Sequence, residues 1–309
     1  MGHHHHHGHS HGHSHGHSHT SNKKALLSSF LLIAAFMIVE VIGGIVTNSL
    51  ALLSDAGHML SDAAALGLSF YALKLGEKKV SQEKTYGYKR FEIIAAALNG
   101  LTLVIISIYI LVEAFHRFFN PPQVQSSGML IISVTGLVVN IVAAWILMKG
   151  DKEDNLNVRS AFLHVMGDML GSVGAIIAAL LIMFFGWGIA DPIASCIVAV
   201  LILISGYRVS KDSFHILMEG TPSQIDITEV RKALCKIPTV KEVHDLHIWT
   251  ITSGYPVLSC HMTIFDDGVH DNILSQSQKI LHDEFHIEHS TIQIEKEVIG
   301  CPSPHGTCN

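Results

Sequence analysis

Ser54-Asp55-Ala56-Gly57-His58-Met59-Leu60-Ser61-Asp62 and a later echo of it, Ser160-Ala161-Phe162-Leu163-His164-Val165-Met166-Gly167-Asp168, decide how this chain is read. Both carry the spacing Ser-x3-His-x3-Asp inside a largely apolar run. Residues four apart share one face of an α-helix, so each run offers an imidazole and a carboxylate side by side. Ionisable groups in so apolar a setting are costly, and by default they are functional. If the two faces meet, two nitrogens and two oxygens converge, a donor set that suits tetrahedral Zn2+. Two aspartates and one dication also sum to zero charge, which makes the filled site tolerable in a low dielectric. Without metal, the same site must take up protons or water, and this couples metal release to proton uptake.

Working outward, the solvent for these runs reads as lipid. Of 309 residues, 49 % are hydrophobic and only 15 % charged, where a soluble protein carries about 25 %. Six apolar segments fall at Ala25–Val46, Ser49–Leu73, Phe91–Phe115, Met129–Met148, Ser160–Phe185 and Trp187–Tyr207. Each is long enough to cross a hydrocarbon core, which takes about 20 helical residues. Lys and Arg collect before the first span (Lys23, Lys24), between the second and third (Lys78, Lys79, Lys84, Lys89, Arg90), between the fourth and fifth (Lys149, Lys152, Arg159) and after the sixth (Arg208, Lys211). The opposite loops hold little more than Arg117. The positive-inside rule then puts both termini in the cytoplasm. The N-terminus lacks an apolar h-region and does not read as a signal peptide. A net charge of -6 argues against nucleic acid as a partner.

Two segments flank the spans. Residues 1–22 hold His3 to His7 and then His9, His11, His13, His15, His17 and His19 among Gly and Ser, part of a total of 23 His. The opening alone would suit an expression tag, but the Gly-His-Ser-His repeat goes beyond one. The composition predicts a disordered tail that binds metal weakly and raises its local concentration. After Ser210 the composition becomes that of a soluble domain. A short helix is expected at Thr228–Lys236, strands at Val240–Ile251 and Val257–Phe265 around a Ser253-Gly254-Tyr255-Pro256 turn, a helix from a capping Asp271 to about Phe285, and a last strand at Ser290–Glu297. The predicted organisation is therefore a tail (1–22), a six-helix α-helical membrane domain (23–208) and an αββαβ α+β domain (209–309).

The remaining chemistry-bearing residues are less pointed. Cys196, Cys235, Cys260, Cys301 and Cys308 are scattered and odd in number, which does not make a disulfide framework. Cys196 lies in an apolar run and reads as packing. Cys301 and Cys308, with His305 between them, could form a metal cluster. Glu40, Asn99, Glu113, Asn140 and Asp191 lie inside spans and read as hydrogen-bonding partners between helices. Asp191-Pro192 reads as a helix N-terminal device.

The paired His-x3-Asp motifs in spans two and five, the six spans, the His-rich tail and the αββαβ domain together resemble the cation diffusion facilitator family over essentially the whole chain. The resemblance is strongest to the bacterial cobalt–zinc–cadmium resistance branch and to the related animal zinc transporters. Its most specific signatures are Ser49-Leu50-Ala51-Leu52-Leu53-Ser54-Asp55-Ala56-Gly57-His58 and His244-Asp245-Leu246-His247-Ile248-Trp249. It implies a homodimer in the cell membrane that exports Zn2+, with Co2+ and Cd2+ as companions, by proton antiport and rocking helices. By that analogy His58, Asp62, His164 and Asp168 form the transport site, and His at the first position accompanies zinc. The resemblance also marks His244, His261 and Glu295 as a structural or regulatory zinc site, on strands that one sheet could bring together. His289, Cys301 and Cys308 resemble a second cluster of some animal members, although the Cys spacing here is longer. Some members hold metal in the loop between spans two and three. Here Ser81 to Arg90 offers Lys84, Tyr86 and Tyr88 instead, so that site is expected to be absent and these residues read as interfacial anchors. Two other readings are weaker. An intramembrane metalloenzyme needs an open coordination position and a general base, yet the chain has no His-Glu-x-x-His and offers four protein ligands. A membrane sensor that moves no metal would not need paired ligands at mid-membrane depth.

Overall fold

The computed structural model describes residues 16–76, 81–148, 156–265 and 270–296. Six long helices come first: α1 (Gly16–Thr47), α2 (Leu50–Gly76), α3 (Phe91–Phe119), α4 (Ser126–Met148), α5 (Leu156–Phe185) and α6 (Ala190–Leu217). Five of them contain stretches long and apolar enough to cross a membrane, at Ser28–Thr47, Phe91–Phe119, Ser126–Ile146, Val165–Phe185 and Ala190–Leu217. The remaining one, α2, has 27 residues and so spans about 40 Å at 1.5 Å per residue. Burial runs opposite to that of a soluble bundle. Large apolar side chains such as Ile45, Ile105, Leu170 and Phe184 are exposed, while Ala143, Ala178, Ala179, Ala199, Ser107 and Ser133 are buried. This is the pattern of helices that pack through small residues and turn their bulk toward lipid.

Contacts divide the chain into two units, the first being Met1–Ala63 with Leu103–Leu203. Within it α4 packs against both α1 and α5. Gly136 makes one of these approaches possible, since a Cβ there would lie 2.8 Å from the Phe36 ring of α1. The break between α1 and α2 is made by Asn48 in the left-handed region (φ 56°), which Asn tolerates better than most residues. Arg117 holds the break, donating to the Asn48 carbonyl at 2.8 Å and to Glu113 at 2.8 Å. The new helix starts under an aspartate from elsewhere. Asp191 of α6 accepts from the Ser49 hydroxyl at 2.6 Å, Leu50 N at 2.9 Å and Ala51 N at 3.1 Å. The sequence predicts Asp191 to be a helix N-terminal device; it lies in the first turn of α6 and its carboxylate also caps α2. First-turn N–H groups have no partner within their own helix, and in a buried setting something else must supply it.

The second unit comprises Ala64–Thr102 with Ile204–Asn309. It holds α7 (Ile227–Cys235), β1 (Val240–Thr250), β2 (Pro256–Ile264), α8 (His270–Phe285) and β3 (His289–Lys296), the expected αββαβ order. Asp226 caps α7, accepting from Thr228 N at 2.8 Å, and that bond holds its carboxyl below the usual range. Gly254 (φ 72°) turns β1 into β2. The sheet order is β1-β2-β3, with β1–β2 antiparallel and β2–β3 parallel. The parallel pair needs a crossover, and α8 supplies it. Leu258 and Met262 of the central strand pack with Val230 and Leu234 of α7, Ile273 and Leu281 of α8, and Ile287.

Several ends differ from expectation. α1 starts at Gly16, so the last part of the stretch read as a disordered tail is helical; a helix once nucleated in the apolar span extends at low cost. α6 runs to Leu217, beyond the expected boundary at 208. Asp271 lies in the first turn of α8, one residue inside it. Residues 1–15 lie outside the described residues. Of the residues read as interfacial anchors, Lys84 lies 4.1 Å over the Tyr88 ring and Tyr86 is engaged by the C-terminal domain, as are the neighbouring Lys89 and Arg90. Tyr86 meets the His289 ring at 5.9 Å, Lys89 lies 3.7 Å over the Tyr255 ring, and Arg90 pairs with Glu219 at 3.1 Å. Glu92, in the first turn of α3, accepts from the Thr252 and Ser253 hydroxyls at 2.5 and 3.0 Å.

Asp191→Ala leaves two buried N–H groups and a hydroxyl at the head of α2 without their acceptor. The expected cost is about 2–4 kcal/mol, read as a lowered thermal midpoint in detergent, with Asp191→Asn intermediate because it keeps one acceptor oxygen.

Candidate metal sites

The two His-x3-Asp motifs lie on α2 and α5. His58 Nε2 of α2 stands 3.9 Å from Asp168 Oδ1 of α5, so the two motif faces meet. Asp168 is buried, while the His58 side chain is 25 % exposed. Gly171 permits the approach: a Cβ there would lie 2.8 Å from Asp55 Oδ1 of α2. Asp62 and His164 lie one helical turn from His58 and Asp168, on the same helix faces; their side chains are outside the described residues. Ser54 Oγ donates to the Leu50 carbonyl at 2.8 Å, a bond inside its own helix.

The C-terminal sheet assembles the second predicted set. His244 of β1 stands opposite His261 of β2, and Glu295 of β3 stands opposite Thr263 of β2. One ligand atom from each of His244, His261 and Glu295 lies within 4.8 Å of the others. His261 Nδ1 is 2.7 Å from Glu295 Oε1, and His244 Nε2 is 3.4 Å from Glu295 Oε2. His244 is buried, yet neither of its ring nitrogens makes a hydrogen bond. A buried imidazole without a hydrogen bond is unusual, and a metal ion would satisfy it. Two nitrogens and a carboxylate suit Zn2+ and leave a fourth position for water or another ligand.

The surroundings add what the sequence pattern did not show. The β1–β2 ladder shifts register between His244 and His247, and within that bulge Asp245 adopts φ 49°. Its carboxylate reaches His247 Nε2 at 3.0 Å and comes within 3.8 Å of His261 Nε2. Gln293 donates to Glu295 Oε1 at 2.7 Å. A period-two strand reading misplaces Asp245, because a bulge sends a side chain off its expected face. Cys260 is next to His261 but points to the opposite face. Burial pushes its thiol up to about 12, so it stays an uncharged packing group. His289 is exposed at the start of β3, between the rings of Tyr86 and Tyr255. Its proposed co-ligands Cys301 and Cys308 lie outside the described residues.

Residues 26–218 match the family model described as the cation efflux transmembrane domain, and residues 222–297 match ZT_dimer, described as the cation efflux protein cytoplasmic domain. The chain is 56 % identical over 303 residues to the cadmium, cobalt and zinc/H(+)-K(+) antiporter of Bacillus subtilis, covering 96 % of this chain and 93 % of that one. It is 45 % identical over 286 residues to the zinc transporter ZitB of Escherichia coli, covering 92 % and 91 %. It is also 41 % identical over 276 residues to the metal cation efflux system protein CzcD of Cupriavidus metallidurans, covering 89 % and 87 %. The chain therefore belongs to the cation efflux family, the cation diffusion facilitators, and is a multi-pass membrane transporter of metal cations and not an enzyme.

Proposed function

We propose that this chain exports Zn2+, with Cd2+ and Co2+ as companion cargo, from the cytoplasm in exchange for protons, through a four-ligand site of His58, Asp62, His164 and Asp168. The observation that carries this reading is the approach of His58 Nε2 to Asp168 Oδ1 at 3.9 Å, which joins the two motifs across α2 and α5. The names of the relatives support the cargo: one is a cadmium, cobalt and zinc antiporter and another a zinc transporter. The imidazoles must be deprotonated to bind metal, so acidification opposes loading and loading releases protons. A cycle that loads at the cytoplasmic side and discharges at a more acidic outer side then runs outward. The basic loops support a cell-membrane protein with both termini in the cytoplasm. The matched ZT_dimer model supports a homodimer.

Zinc at His244, His261 and Glu295 is resident, not cargo. Its ligands come from all three strands, so it ties the sheet together and favours the domain arrangement that binds it.

Three outcomes follow. Asp168→Asn keeps the size of the side chain and an oxygen but leaves the dication unbalanced. A buried unpaired charge costs about 4 kcal/mol, roughly a thousandfold in Kd, so calorimetry should show membrane-site binding lost and proteoliposomes should show no zinc flux. Native flux in this variant would refute the site. His58→Asp replaces a nitrogen by an oxygen and adds negative charge. It should lower the zinc-to-manganese flux ratio about tenfold, because a harder donor set favours the harder ion. An unmoved ratio places His58 outside the ligand set. His261→Ala should remove most of the stabilisation that zinc confers on the C-terminal domain within the full chain, about 2.7 kcal/mol at a hundredfold excess over Kd, followed by the thermal shift. A full shift in the variant would exclude this triad as the resident site.

A further inference from the structure

The export reading leaves a buried acidic group near the transport ligands without a role. Glu40 of α1 is 1 % exposed, and its Oε2 makes no hydrogen bond. Its Oε1 faces Gly136 of α4, 3.2 Å from where a Cβ would stand. One turn further along α4, Asn140 is fully buried. It donates through Nδ2 to Ser172 Oγ of α5 at 3.4 Å, while its Oδ1 accepts nothing. On α2, Asp55 is 3 % exposed and its Oδ2 likewise makes no hydrogen bond. The titratable groups that act on Glu40 are Asp55 of α2 and Asp168 of α5; α4 contains no titratable residue. Neither Glu40 nor Asp55 is in an ion pair with any described residue.

An ionised carboxylate cannot remain in such a place without a neutralising cation. All three unpartnered atoms, Glu40 Oε2, Asp55 Oδ2 and Asn140 Oδ1, are acceptors. None of the three is met by a donor among the described residues, and a proton gained by Glu40 would supply one. We propose that Glu40 carries the counter-proton of the exchange, at a place separate from the four metal ligands. This rests on the antiport reading above. A dication at Asp168 favours the ionised form of Glu40, and a proton on Glu40 removes a negative charge that would favour the dication, so filling one place disfavours the other. That mutual exclusion is what makes the two ions exchange and not travel together.

The test uses the full-length chain in proteoliposomes, with zinc flux driven by an imposed pH gradient, and calorimetric zinc binding in buffers of different ionisation enthalpy. For Glu40→Gln, protons released per zinc should fall by about one, and gradient-driven flux should fall at least about tenfold. Glu40→Asp keeps a carboxyl and should preserve both proton release and coupled flux. Native proton release and flux in Glu40→Gln would overturn the proposal. So would a loss of zinc affinity as large as that of Asp168→Asn, because Glu40 would then be a metal ligand. If Glu40→Gln fails to insert, Glu40→Asp carries the test, and loss of proton release there overturns the assignment. Flux that follows a potassium gradient and ignores pH through Glu40→Asp would also overturn it. If the unsubstituted chain moves no proton with zinc, the antiport reading fails first, an outcome distinct from these.

Discussion

Taking a carboxylate out of water costs several kcal/mol even after the protein relaxes around it. Three carboxylates, Glu40, Asp55 and Asp168, are buried in the helix bundle, and neither Glu40 nor Asp55 is in an ion pair with any described residue. Their charge must be met by something that enters and leaves. In a soluble protein such an arrangement would be a flaw. In a transporter it makes the interior an acceptor for cations, and in the proposed site the nitrogens of His58 would bias part of that interior toward a borderline metal such as zinc.

The packing serves this constraint. Asp55 reaches α5 because position 171 is glycine, and Glu40 reaches α4 because position 136 is glycine. Small residues at these crossings let polar side chains share one interior, while Ile, Leu and Phe cover the outside. Asp191 follows the same logic in another role. Its oxygens accept from a hydroxyl and two N–H donors at the head of α2, the ordinary requirement for a carboxylate that stays buried. Asp55 and Glu40, without such donors, are the groups left to respond to cations.

Much of this was legible in the sequence, for reasons that differ by element. The spans follow from length and apolar composition, which act locally. The paired His-x3-Asp motif follows from helical periodicity, which placed His58 and Asp168 on faces that do meet. The αββαβ order follows from alternation and the Ser253-Gly254 turn. The pairing of polar residues across helices did not follow. Asp191 does lie in the first turn of its own helix, as read, but its oxygens also cap the start of α2, because partner choice between helices depends on rotation and depth and leaves no periodic trace. Asp245 escaped because a bulge reverses the face that strand alternation assigns. Tyr86 and Lys89 suit a lipid interface equally well by composition, yet they meet aromatic rings of the C-terminal domain.

The metal triad of that domain and the turn that holds α3 are built on the same pair of strands. From His247 to Thr250, β1 pairs without interruption with β2 from Ser259 back to Pro256, and the turn beyond supplies Thr252 and Ser253 to Glu92. The bulge at Asp245 lies between this regular stretch and His244. A bulge is the locally weaker part of a ladder, since its extra residue is unpaired and the strand bends there. A metal ion held by His244 on one side of the bulge, and by His261 and Glu295 on the neighbouring strands, would bridge that weak point. The proposed zinc would then reinforce the ladder at the place where its own hydrogen bonding is interrupted, and the rest of the ladder would carry that rigidity to the residues that seat the first turn of α3.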